Sequence, residues 1–173
     1  MQRPEVNEYH PNYQKYFDLI PSGDYLKLLS QNTTETADFF AAIPPGKHDD
    51  RYAEGKWSIK EVLMHIIDTE RVFAYRALAA VRGDKAPVYR MDEELYAGNV
   101  DVSNRTMADL ISEFKTVRSG TEYLFTNITD EHSERLCNVV TYPMTARAIG
   151  YFMIGHVLHH VGVVKDRYLN IRQ

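Results

Sequence analysis

The sequence predicts an all-α protein, a four-helix bundle, and three observations carry that prediction. Apolar residues recur at helical spacing through four long stretches. Capping residues, prolines and glycines mark the ends of these stretches. Each stripe must be covered by its neighbours, and 173 residues suffice for one core of that kind.

The first stretch starts near Asp24 and carries Tyr25, Leu28, Leu29, Phe39, Phe40 and Ile43, with polar Asn32 and Thr36 on the same stripe. Pro44-Pro45-Gly46 ends it. Residues 1–23 read as an N-terminal arm of the same domain. The second stretch opens with the capping box Ser58-Ile59-Lys60-Glu61, runs through Ile59, Val62, Leu63, Ile66, Phe73 and Ala77, and stops at Gly83. The third begins at Thr106, with Asp109 three residues on, and continues through Leu110, Ile111, Phe114, Val117, Leu124 and Ile128; Gly120 weakens its middle slightly. The fourth begins near Thr145, after Tyr142-Pro143, and carries Ile149, Phe152, Met153, His156, His160, Val163 and Val164 towards Tyr168.

The connections are informative as well. About twenty residues, Asp84 to Arg105, separate the second and third helices, enough for a long crossover with one helical turn inside it. Between the third and fourth, Val139-Val140-Thr141-Tyr142 reads as an extended run. No internal repeat or low-complexity segment interrupts the pattern, so residues 1–173 read as a single domain.

Composition narrows the function classes. A net charge of −4 and a pI near 6.0 give no basic face for phosphates, so nucleic-acid partners are not expected. The single Cys137 allows neither an internal disulfide nor a thiolate cluster, which fits a cytoplasmic location. The first residues lack the apolar run of a secretory signal, and no stretch approaches eighteen uninterrupted apolar residues, so neither export nor a membrane span is expected.

Chemistry concentrates in Gly155-His156-Val157-Leu158-His159-His160. His156 and His160, four residues apart, share one helix face with about 6 Å of rise between them, which suits two positions in one coordination sphere. His65, on the second helix, is a third candidate ligand. Neutral imidazole is the commonest side-chain ligand for divalent transition metals, and three protein nitrogens leave a position for substrate. The helix lacks the glutamate of His-Glu-x-x-His, so peptidase activity is not expected.

The run Trp57-Ser58-Ile59-Lys60-Glu61-Val62-Leu63-Met64-His65-Ile66-Ile67-Asp68-Thr69-Glu70-Arg71, with Arg76-Ala77-Leu78 and Arg82-Gly83-Asp84 after it, resembles the DinB-like (YfiT-type) metal-binding four-helix bundles. Asn104-Arg105-Thr106, Val117-Arg118, the histidine segment and Arg167-Tyr168 are similar in wording and order. The resemblance implies a crossover bundle whose divalent metal, nickel or zinc first and manganese or iron next, is held by His65, His156 and His160. It leaves His159 unligated. Some proteins of this kind are transferases or isomerases that use low-molecular-weight thiols, so the resemblance points to a metal-dependent enzyme. A small-molecule substrate and a thiol-dependent S-transfer or detoxifying reaction are the expectation. A metal-dependent hydrolase, or a module that binds metal or small molecules without catalysis, is the alternative.

Plainer roles stand beside these. His10, His48 and His132 lie in polar or loop-like segments and suit the surface. Glu61 is within reach of a ligand position, but its cap already explains it. Asp68 suits either an exposed helix flank or orientation of His65. Arg76 and Arg82 read as solvated rim arginines, with an anionic substrate as the other option. Trp57 and the twelve tyrosines read as core and rim. Cys137 reads as a small hydrophobe rather than a nucleophile. A further apolar stripe would pair two copies as a homodimer.

Overall fold

The computed structural model describes residues 1–140 and 142–171. Pro11–Tyr13 forms a 3-10 turn, followed by the short α1 (Gln14–Phe17), α2 (Tyr25–Ala41), α3 (Ile59–Arg82), α4 (Glu93–Asn99), α5 (Met107–Thr126), α6 (Asp130–Ser133) and α7 (Ala146–Val163). The four long helices start where the capping residues placed them. Asp24 accepts from the Lys27 amide, Thr106 from Asp109 and Thr145 from Ala148. Ser58 and Glu61 close a reciprocal capping box, and Gly83 ends α3 in the left-handed region at φ 70°, where glycine carries no Cβ penalty.

Cross-helix contacts fix the directions. Lys60 with the Arg105 carbonyl, and Arg71 with Glu113, run in the same order along both segments, so α3 and α5 are parallel. Tyr25 against Phe125 and Thr33 against Glu122 make α2 and α5 antiparallel. His65 against His160 and Phe73 against Phe152 make α3 and α7 antiparallel. The order is therefore up-down-down-up. Parallel neighbours need a connection that returns the full helix length, and residues 83–106 provide it with α4 inside. The expected crossover is present.

Two details differ from the sequence reading. The extended run is displaced: Leu136–Cys137 (β1) pairs antiparallel with Met144–Thr145 (β2), while Val139 makes only an isolated bridge to Val88. Thr141 of that run lies outside the described residues, as do Arg172 and Gln173 of the expected domain. At its far end α7 passes into a π turn, Val164–Tyr168, instead of staying regular.

Apolar side chains form two clusters, one around Tyr25, Phe125, Ile149 and Phe152, the other around Phe40, Leu63, Leu110 and Val164. A polar layer lies between them. Arg118, fully buried, sits 3.1 Å from the Glu70 carboxylate and donates to Asn32 at 3.2 Å. Asn32 and Thr36, which looked like breaks in an apolar stripe, belong to this buried layer.

The N-terminal arm is part of the packed structure. Tyr9 stacks on Phe17 at 3.9 Å between centroids, and both are buried with Ile20. Arg3 donates to the carbonyls of Phe17 and Ile20, and Glu8 accepts from Arg147 and from the Thr145 hydroxyl at the start of α7. Among the described residues no helix is long and apolar enough to cross a membrane.

Candidate metal centre

His65 lies two turns inside α3, with the capping box fixing where that helix begins. His156 and His160 lie one turn apart on α7. Antiparallel packing brings the two helices face to face there. The Nε2 atoms of His65 and His160 each stand 3.1 Å from Nε2 of His156, and one nitrogen from each ring falls within a 4.8 Å cluster. His65 and His156 are buried and His160 half-buried.

Aromatic rings enclose the cluster. Trp57 lies 4.7 Å from the His65 ring, Phe152 5.4 Å and Tyr16 5.9 Å from that of His156. Burial among these groups disfavours imidazolium. It pulls His65 down to about 4, helped by nearby His159, and holds His156 and His160 well below the usual histidine range, with the neighbouring histidines adding to the effect. All three rings are thus neutral at pH 7, the protonation state a metal requires.

The donor set fits a divalent ion. Two imidazole nitrogens sharing an ion at about 2.0–2.1 Å stand roughly 3.0–3.4 Å apart, and the observed separation of 3.1 Å falls in that range. The cluster opens into a cavity of about 370 Å³, at the lower end of small-molecule sites.

His159 lines this cavity half-buried, its ring 5.2 Å from Tyr16 and 5.0 Å from His160. Glu61 is committed elsewhere: it accepts from the Ser58 amide and pairs with Arg51 at 2.6 Å. Asp68 faces a separate surface depression beside Leu95 and Tyr96, with Arg71 at 3.4 Å, and has no part in the histidine cavity. Cys137 is buried on β1, where burial pushes its thiol up. His48 is bound to the Ile43 carbonyl at 2.9 Å, and His10 accepts from the Asn12 amide. Arg82 is exposed.

Arg76 overturns its reading as a solvated rim group. It is 3% exposed and lines the cavity, packed over Phe73 at 4.5 Å. Tyr13 and Tyr16 line the cavity but were not singled out as site residues, since the tyrosines read only as core and rim. The signal was there in the arm's aromatic spacing, Tyr9, Tyr13, Tyr16 and Phe17, which is that of a packed segment rather than a solvated one.

The comparisons with known proteins agree with this architecture. The structure is similar to that of YfiT from Bacillus subtilis, described as a probable metal-dependent hydrolase with an unusual four-helix bundle topology. The match has a TM-score of 0.68 at 14% identity and covers 96% of this chain and 93% of that one. At that identity the likeness speaks for the fold. No curated protein matches the sequence. The family profile is decisive: the DinB superfamily profile matches residues 28–164, most of the chain and all three clustered histidines, and the chain belongs to the DinB superfamily.

Proposed function

We propose that this chain is a metal-dependent enzyme in which His65, His156 and His160 hold a divalent ion in front of a small-molecule cavity. The supporting observation is the convergence of three neutral imidazole nitrogens within 4.8 Å at the floor of that cavity. Nitrogen donors suit nickel or zinc. Such an ion, when bound, acidifies a water or a thiol at its free position and polarises an electrophile beside it.

The protein's own groups do the rest. The rings of Trp57, Tyr16 and Phe152 keep bulk water from the histidines and strengthen electrostatic interactions there. His159 stands on the cavity wall and can carry a proton between the site and solvent, a role Asp68 cannot fill from its separate depression. Hydrolysis of an ester, amide or similar bond is the reaction favoured, in keeping with the description of YfiT.

Thiol-dependent transfer, with a low-molecular-weight thiol as co-substrate, is the second reading. Among the described residues no buried carboxylate lines the cavity as a general base, and a thiol held at a cation by the three histidines would be acidified enough to give its proton to solvent water.

Elemental analysis of untagged protein beside His156→Ala tests the site. Near-stoichiometric metal that disappears in the variant is the expected result. Metal content unchanged in His156→Ala, or no uptake of nickel, zinc, manganese or iron by the unaltered protein, overturns the proposal. Screens of esters, amides and thiol–electrophile pairs with loaded protein then separate the two reactions.

A further inference from the structure

Among the described residues two arginines are buried, and they differ in one respect. Arg118 has Glu70 at 3.1 Å. Arg76, 3% exposed, forms no ion pair among the described residues. One of its five N–H groups donates to the Tyr89 carbonyl at 3.0 Å, and its buried Nε has no partner among the described residues. The Phe73 face gives partial compensation. A guanidinium withdrawn from water without a counter-ion is costly, and an anion that entered the cavity would relieve that cost.

The location identifies the ligand's position. On α3 an eleven-residue step is about three turns, so Arg76 returns to within about 20° of His65, and its long side chain leans back towards the helix N-terminus. Thr69 lies between them, buried, with a hydroxyl that also has no partner among the described residues. All three line the same cavity, whose remaining wall is largely aromatic. Glu93 and Arg90 at its exposed rim offset each other in charge.

We propose that Arg76 is an anion handle: the cavity takes a small carboxylic acid with an apolar body, its carboxylate paired with Arg76 and its other end turned to the histidines. A single planar guanidinium among aromatic rings matches a carboxylate in a two-pronged pair, whereas a phosphate group calls for more donors than this wall offers. The assignment names the substrate class for the proposed metal site and rests on that reading.

The probe is 3-phenylpropionate, with its neutral amide as control, measured by calorimetry on the full chain. Arg76→Met, Arg76→Gln and His160→Ala are compared with the unaltered protein. The carboxylate is expected to bind, the amide to bind at least tenfold more weakly, and affinity for the carboxylate to fall about 10- to 100-fold in both Arg76 variants. His160→Ala, which removes metal and one ring of the cavity wall, should lower that affinity less than either Arg76 variant and keep the preference for acid over amide, which separates failure of the handle from failure of the metal site. Arg76→Met should also melt no lower than the unaltered protein, because an unpaired buried charge has been removed. Equal binding of acid and amide, affinity that follows His160 instead of Arg76, or no binding at all overturns the proposal. A tighter response to inorganic phosphate than to the carboxylate does so as well.

Discussion

The backbone of Tyr16 rests directly on Gly155. A Cβ at position 155 would stand 2.3 Å from the Tyr16 carbonyl oxygen and 2.7 Å from its carbon, distances that real Cβ atoms essentially never show. Glycine at this point lets the arm lie against α7, and the arm in turn sets the Tyr16 ring over His156 and His159. The residue before the first histidine of the motif therefore shapes the wall of the cavity.

Gly155→Ala should accordingly displace the arm while leaving the helices paired. Helix propensity alone would favour alanine by about 1 kcal/mol. The clash is with backbone, which cannot rotate away, and overpacking of that kind costs about 1–3 kcal/mol, so a net loss of stability is expected. Thermal melts and proteolysis of residues 1–23 check it. A variant as stable and as protease-resistant as the unaltered protein would show that the arm does not need this contact.

The arm's other anchor gives a pH dependence. Burial alone would raise the Glu8 carboxyl, but hydrogen bonds from Arg147, Thr145 and the Glu5 amide outweigh it and hold the group below its ordinary value of 4.5. A carboxylate lowered in the folded state adds stability that is fully present above the unfolded value and fades as pH falls through the folded one. Unfolding in denaturant should therefore lose a component below about pH 4.5 that Glu8→Gln lacks. At neutral pH the same substitution should cost about 1–3 kcal/mol, mainly from weakening the half of the Arg147 network that Glu134 does not reach.

Arg118 and Glu70 form the charged centre of the polar layer, both essentially buried at 3.1 Å. Removing one partner leaves the other charge without compensation. Arg118→Met alone should cost about 3–5 kcal/mol, while Arg118→Met with Glu70→Leu should recover much of the loss. A double-mutant cycle in denaturant measures the coupling, and strictly additive losses would mean the two groups act independently.

Much of this was legible in the residues. Asp24, Ser58, Thr106 and Thr145 cap the four long helices as read, because N-capping depends on local hydrogen bonds that a few residues specify. The length of the segment from Asp84 to Arg105 gave the crossover. His65, His156 and His160 were legible as candidates, and the fold brings them together. What could not be read is burial set by distant packing. Whether Arg76 faces water or a cavity depends on how the crossover and the arm cover α3, and the arm's role depends on the close approach of Tyr16 to Gly155, far apart in the sequence. The extended run was misplaced by a few residues because a two-residue pairing has almost no periodicity to detect.

Trp57 offers a direct report on the histidine site. It is the only tryptophan, and its ring lies 4.7 Å from that of His65 on the cavity wall. Tyr168 ties its backbone down by donating to the Trp57 carbonyl at 2.6 Å, so the indole is held by the π turn at the end of α7. An ion bound by His65 would therefore change the charge beside a fixed indole. Titration of metal-free protein with nickel should quench or shift the tryptophan emission in a saturable way. His65→Ala and His156→Ala should abolish the change at the same metal concentrations, and Cys137→Ala, whose buried thiol does not line the cavity, should leave it intact. Metal binding should also raise the melting temperature of the unaltered protein, by about 2.7 kcal/mol of stability at a hundredfold excess over the dissociation constant. Emission that responds equally in the histidine variants would place the nickel elsewhere on the surface and remove the three histidines from the metal's coordination.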